Sequence, residues 1–442
     1  MSAGLLATQP HEFRSRRRRL MDSLTDGAIV IAAGHDAPRN NDVDHQYRQD
    51  SSFWYLTGFD EPDAVAVLRP GSDTPYTLFV RPYDPTFEIW VGRRAGVRGA
   101  VGQLGANAAY PLEQLDSQLP KLLAECETIH YALGSDDRVD GIISGLVKQR
   151  RRMAQRGAKS VRRIEDPTAQ IDAMRQVKTD EEVALLQRAI DITAVGFESA
   201  MQTAAPGIAE YEVQAALERP FRHLGSPRNG YPSIVAGGAN ACVLHYVRND
   251  ETLGPDDLLL IDAGAEYGYY TADVTRTWPV SGTFTPAQRD IYDIVLESQK
   301  KAIAEVKPGV GFDDVHKVAT RTLIEGLVNL GIMGGDVEQI LNDAAYRDYY
   351  MHATSHWLGL DVHDCGAYRD EKGQIRLRPG MVLTVEPGLY FGAQAKKAPE
   401  AYRGIGIRIE DDVLVTGDGC RVLSEAIPKE ADELEAIVKD GR

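Results

Sequence analysis

Short apolar runs of strand character alternate with helix-like stretches along the first part of the chain. Ala28-Ile29-Val30-Ile31-Ala32, Ala64-Val65-Ala66-Val67-Leu68 and Leu78-Phe79-Val80 read as buried strands, and Leu112–Cys126 reads as a helix. Such alternation predicts an α/β domain. The pattern loosens around Pro167, and a helix then begins at a capping box. Thr179 and Glu182 have the T-x-x-E spacing, with Val183, Leu186 and Ile190 on one face behind them. The domain boundary is expected at 172–178, giving domains at 1–174 and 175–442. Beyond it, helices mix with strands that read as antiparallel hairpins, which predicts an α+β domain.

In that second part the run Leu258-Leu259-Leu260-Ile261 ends on Asp262, and the following β-rich run holds Asp273. A two-residue turn at Tyr267-Gly268 pairs position i with position 535 − i, so Asp262 is expected to face Asp273 directly. Opposed Cβ atoms lie about 4.5–5.5 Å apart, and like charges there destabilise a sheet. A cation between them removes that penalty. Two solvated strand carboxylates are the other reading, against which the four apolar residues before Asp262 argue for burial.

Two further strand-like runs end in carboxylates. Glu386 closes Met381-Val382-Leu383-Thr384-Val385, and Pro387 stops the ladder. In Gly404-Ile405-Gly406-Ile407-Arg408-Ile409-Glu410, alternation puts Arg408 and Glu410 on one face. The two glycines lack the rest of a dinucleotide fingerprint. Of 10 histidines, His352, His356 and His363 fall close together. The first two have the i, i+4 spacing of a metal pair on a helix, without the glutamate of a zincin motif. His245 is isolated, and taken alone reads as a core residue.

Composition narrows the partners. The 442 residues are 43% hydrophobic and 26% charged, which excludes a disordered or fibrous chain. With 49 basic and 65 acidic residues the net charge is −16, so neither nucleic acid nor a membrane surface is an expected partner. The Arg16-Arg17-Arg18-Arg19 run reads as the solvated face of an amphipathic helix. Cys126, Cys242, Cys365 and Cys420 are widely spaced, with no CxxC pair, which points away from a disulfide framework and towards the cytoplasm. Gly4-Leu5-Leu6-Ala7 is too short for a signal-peptide core, and no run reaches the 18 or so apolar residues of a membrane span.

Asp262, Asp273, His356, Glu386 and Glu410, in this order and these surroundings, resemble the five-ligand dinuclear site of the pita-bread metallopeptidases. Within that group the chain is most similar to the aminopeptidase P (Xaa-Pro aminopeptidase) family. Arg39-Asn40-Asn41-Asp42, Tyr47-Arg48-Gln49-Asp50-Ser51, Phe53-Trp54-Tyr55-Leu56-Thr57-Gly58-Phe59 and Glu88-Ile89-Trp90-Val91-Gly92-Arg93-Arg94 resemble its N-terminal domain. Ser355–Asp364 and Leu383–Tyr390 resemble its catalytic domain. The resemblance implies an α/β N-terminal domain of the creatinase/prolidase kind ahead of an α+β pita-bread catalytic domain.

It also implies a reaction: hydrolysis of the N-terminal Xaa-Pro bond of peptides by a hydroxide bridging two divalent metal ions. Four carboxylates and one imidazole make an oxygen-rich set, which suits Mn2+ ahead of Zn2+ or Co2+. By the same resemblance Asp273 and Glu410 bridge both ions, Asp262 holds one, and His356 with Glu386 holds the other. Glu386 is the expected proton shuttle. His245 and His363 are expected at the substrate and its tetrahedral intermediate, and His352 and Tyr390 in the pocket wall. Arg408 is expected to fix the Glu410 carboxylate. Trp90 is expected near a neighbouring subunit's site, in a dimer or tetramer. The alternatives are a prolidase restricted to Xaa-Pro dipeptides, a methionine aminopeptidase, and a non-catalytic binding scaffold of the same fold.

Overall fold

A computed structural model describes residues 8–24, 26–154 and 159–440; Gly4-Leu5-Leu6-Ala7 lies outside them. The chain divides into two compact units, one ending at Met174 and the other starting at Arg175.

The first unit is built on one mixed sheet, in the order Ala108–Pro111, Tyr76–Val80, Val65–Leu68, Ala28–Ala32, Thr128–His130 and Arg163–Glu165. Its central strands run antiparallel and its flanks parallel. Val65–Leu68 and Tyr76–Val80 are buried at every position. Continuous apolar runs of this kind belong to sheets covered on both faces. Leu115 and Leu119 from one helix and Leu123 at its C-terminal cap, with Val139, Ile143 and Leu146 from another helix, pack on Ala28, Val30, Val65 and Val67. The expected helix over 112–126 begins as a 3₁₀ turn and is α-helical only over Leu115–Leu122.

The arginine run departs from its expected role. In the helix Pro10–Ser23, Arg18 and Arg19 are exposed, but Arg16 and Arg17 are buried. Arg16 donates to the Tyr55 carbonyl at 3.2 Å and Arg17 to the Leu56 carbonyl at 2.8 Å. Those oxygens sit in the last turn of the helix Ser51–Thr57, where carbonyls lack helical partners and a cation meets the negative end of the dipole. Both guanidinium groups also lie over aromatic rings, Arg16 over Tyr55 and Arg17 over Tyr76.

In the second unit the capping box forms as expected, with Thr179 and Glu182 each holding the other's backbone at the start of the helix Asp180–Thr203. That helix packs with Glu210–His223, and Pro286–Glu305 packs with Phe312–Asn329. Between them lie small antiparallel sheets. One joins Ile234–Gly237, Leu258–Ala263 and Val274–Pro279; another joins Val382–Val385, Asp411–Val415 and Cys420–Val422; a third pairs Gly388–Phe391 with Ile405–Arg408.

The hairpin register differs from the expected one. The turn is Gly268–Tyr269, with φ of +56° and +72°, so both central residues are left-handed. That is the geometry of a two-residue turn matched to strand twist. Tyr267 therefore pairs with Tyr270 and Asp262 with Thr275, so paired positions sum to 537 instead of 535. Asp273 is two residues from Thr275, on the same strand face, and is the diagonal neighbour of Asp262. Gly264 lies between the two ladder segments, where an added Cβ would meet the Ala272 carbonyl oxygen at 1.7 Å.

Candidate metal centre

Asp262 sits near the end of the strand Leu258–Ala263, and Asp273 immediately before Val274–Pro279. Glu386 lies at the junction of Val382–Val385 and Gly388–Phe391, and Glu410 at the junction of Ile405–Arg408 and Asp411–Val415. His356 stands in an irregular segment laced onto the strand beside it. The Thr384 amide donates to the His356 carbonyl at 3.0 Å, and the Glu386 amide donates to the Thr354 carbonyl at 2.8 Å. The i, i+4 spacing of His352 and His356 is therefore not helical. All five candidate ligands open onto one cavity of about 790 Å³, together with His245, His352, His363 and Arg408.

Within it, ligand atoms of Asp273, His356 and Glu410 all lie within 4.8 Å of one another. His356 Nε2 is 3.2 Å from Asp273 Oδ2 and 3.5 Å from Glu386 Oε1. Its Nδ1 faces the Trp357 carbonyl at 3.0 Å, an outer contact that turns Nε2 towards the carboxylates. The Tyr231 hydroxyl stands between two carboxylates, 2.6 Å from Asp262 Oδ1 and 2.5 Å from Asp273 Oδ1.

Arg408 does not pair with Glu410 as expected. Its guanidinium donates to Asp262 Oδ2, to the Tyr390 hydroxyl at 3.0 Å and to Thr275 Oγ1 at 3.2 Å. Thr275 in turn donates to Glu410 Oε2 at 2.6 Å. The strand face shared by Arg408 and Glu410 meets Thr275 across the fold, and the hydroxyl fills the gap between them. Tyr390 also bonds His352 Nε2 at 2.8 Å. The His363 ring centroid is 4.4 Å from that of His356. Next to it, Asp364 is buried between Lys178 and Arg175, at 2.9 and 2.6 Å. Trp90 is not among these residues; it belongs to the N-terminal unit and is 82% exposed.

The electrostatics of the cluster are those of a charge set that wants a cation. Burial, reinforced by Asp273 and Glu386, pushes the Glu410 carboxyl well above its usual range. Burial also raises Asp262, against the pull of Arg408, and lifts Glu386 to about 7. For His356 burial acts downward, but the hydrogen bond to Asp273 and the Glu386 charge outweigh it and hold the imidazole at about 9. His352, buried and facing Arg408, falls to about 3 and is neutral. Four carboxylates and one imidazole lining one cavity, with one guanidinium at the edge, fit divalent cations of hard, oxygen-preferring type.

Three residues of this site carry no sequence signal of their own. Tyr231 and Thr275 reach the carboxylates from positions that no motif marks. Asp412, fully buried, accepts from the Asp273 amide at 3.1 Å, while its Oδ1 has no hydrogen-bond partner among the described residues.

Comparison with known proteins agrees with this geometry. Residues 184–417 match metallopeptidase family M24, and residues 13–130 match the aminopeptidase P N-terminal domain. The Escherichia coli Xaa-Pro aminopeptidase is 42% identical over 98% of this chain and 98% of its own. Human Xaa-Pro aminopeptidase 3 is 35% identical over 96% of this chain and 85% of its own. Among solved structures, an aminopeptidase of Pseudomonas aeruginosa superposes with a TM-score of 0.96 at 40% identity, over 99% of both chains. The Zn-substituted Escherichia coli aminopeptidase P in complex with product gives 0.95, also at 40% identity and over 99% of both.

Proposed function

The chain belongs to metallopeptidase family M24, and from that premise we propose how its residues carry the reaction of a metal-dependent Xaa-Pro aminopeptidase. It is an exopeptidase that hydrolyses the bond between an N-terminal residue and a following proline. The observation that carries the assignment of roles is the convergence of five ligand-type side chains, three histidines and Arg408 on one cavity.

Asp273 and Glu410 are assigned to both metal ions, Asp262 to one, and His356 with Glu386 to the other. Bound there, two divalent cations supply Lewis acidity and a lowered water pKa. The oxygen-rich donors favour Mn2+ as the native metal. Glu386, between the cavity and Thr384 Oγ1, is assigned to receive the proton of the attacking water and return it to the leaving nitrogen. That nitrogen is part of a ring and carries no N–H before cleavage, so the site has to bind shape and supply a proton. His245 and His363 are assigned to the substrate carbonyl as it becomes tetrahedral. His352, neutral and fixed by Tyr390, forms the wall that receives the ring. Arg408 holds Asp262 and, through Thr275, Glu410.

Trp90 and Ile89 are 82% and 81% exposed, and the helix Pro85–Val91 buries none of its side chains. An apolar surface of this kind on a helix needs a partner, and we assign it to contact between copies in a dimer or tetramer. Light scattering that returned a single 48.6 kDa chain would remove that assignment. The four free thiols suit the cytoplasm, and cell fractionation tests that location. Among the described residues no helix is long and apolar enough to cross a membrane.

One assay tests the specificity. Given Xaa-Pro-Xaa, Xaa-Pro and Xaa-Ala-Xaa peptides in parallel, the enzyme is expected to cleave the first and to leave the alanine peptide essentially uncut. Cleavage of the dipeptide alone would make it a prolidase instead.

A further inference from the structure

Glu210 opens the helix Glu210–His223 and is fully buried. It has no part in the cluster above, yet its two oxygens accept four hydrogen bonds. Oε1 takes the Gly237 amide at 2.8 Å and Asn240 Nδ2 at 3.1 Å. Oε2 takes the Tyr246 hydroxyl at 2.7 Å and the Glu251 amide at 3.0 Å. All four donors belong to one stretch, residues 237–251, which forms part of the cavity wall through Leu244, His245 and Val247. The position suits a carboxylate, since the first turn of a helix presents the positive end of its dipole.

The ends of that stretch have further anchors. Asn249, left-handed at φ +49°, bonds Ser233, Gln214 and the Val235 amide, and the Glu210 amide donates to the Glu251 carbonyl. Its middle is held by Tyr246, whose ring packs against buried Ile234, Ala236, Ala241 and Leu260. His245 is exposed at the cavity, and among the described residues no hydrogen bond holds its imidazole. One side chain is fixed inward and its neighbour faces the cavity, so the anchor of the first sets the place of the second.

We propose that Glu210 is a positioning residue for catalysis, acting through Tyr246 to hold His245 at the substrate. The proposal rests on the assignment of His245 to the substrate carbonyl. Glu210→Gln replaces an acceptor by an NH2 group that faces donors, and Tyr246→Phe removes the hydroxyl, with its bond to Glu210 and its contact with the Asp250 backbone, while keeping the packed ring. A displacement of about 1 Å at a reacting group costs on the order of a hundredfold, so each variant is expected to lose roughly tenfold to a hundredfold in kcat. KM should move less, because a contact made only as the carbonyl becomes tetrahedral acts on the transition state. Hydrogen exchange at amides 243–247 should quicken, with metal content and thermal midpoint of Tyr246→Phe near wild type.

The deciding measurement is a double-mutant cycle with His245→Ala on an Xaa-Pro-Xaa peptide. If Tyr246 and Glu210 act through His245, adding either substitution to His245→Ala costs less than about twofold. Losses that multiply in full would show a general structural role and overturn the positioning proposal alone. Wild-type turnover in His245→Ala by itself would overturn the assignment of His245, and the proposal with it.

Discussion

Asp273→Asn is expected to lower turnover of Xaa-Pro peptides by several orders of magnitude with the fold intact. Asparagine matches aspartate in shape, and the Asp273 amide bond to Asp412 is a backbone contact that survives the change. What goes is one negative charge at the point where the cluster is tightest. Asp273 lies 3.2 Å from His356 Nε2 and shares the Tyr231 hydroxyl with Asp262. A carboxylate assigned to both metal ions sets their spacing, and a carboxamide offers one neutral acceptor in its place. Steady-state kinetics with added metal, checked by circular dichroism for retained fold, measures the effect. Turnover near wild type would remove Asp273 from the role of bridge.

Glu386→Gln separates binding from chemistry. The amide retains an oxygen for the metal and for Thr384, but it cannot take up a proton. Hydrolysis should therefore fall by at least about a hundredfold, the usual scale for losing a general acid–base group, while part of the metal remains bound. Metal content by elemental analysis and turnover have to be read on the same sample. A loss of activity that tracks loss of metal one for one would leave Glu386 as a ligand alone.

Some of the candidate ligands stood out in the sequence because they close apolar strand runs, where a carboxylate is conspicuous, whereas the full set of five came from the family resemblance. Asp262 after four apolar residues and Glu386 before Pro387 are of this kind, and both reach the cavity. Register was harder. The hairpin turn lies one residue further along than a glycine-based reading puts it, because Tyr269 adopts a left-handed conformation unusual for a residue with a side chain. That moves every pair by two positions and makes Asp262 and Asp273 diagonal neighbours.

Long-range pairing was harder still. Strand alternation correctly puts Arg408 and Glu410 on one face, but not that Thr275, from a different sheet, takes the place between them. The arginine run shows the same limit. Periodicity gives the face of a helix, whereas the helix-end carbonyls of Tyr55 and Leu56, which accept from Arg16 and Arg17, are 39 residues away. Glu210 and Tyr231 act only through partners brought together by the fold, so nothing local marks them.

The account depends on buried carboxylates that are stable together because cations lie among them. Calorimetric titration of chelator-stripped protein with Mn2+ tests this most directly. Two ions per chain are predicted, with a higher thermal midpoint once both are bound. A stripped protein that takes up no metal, or one ion with full activity, would contradict it.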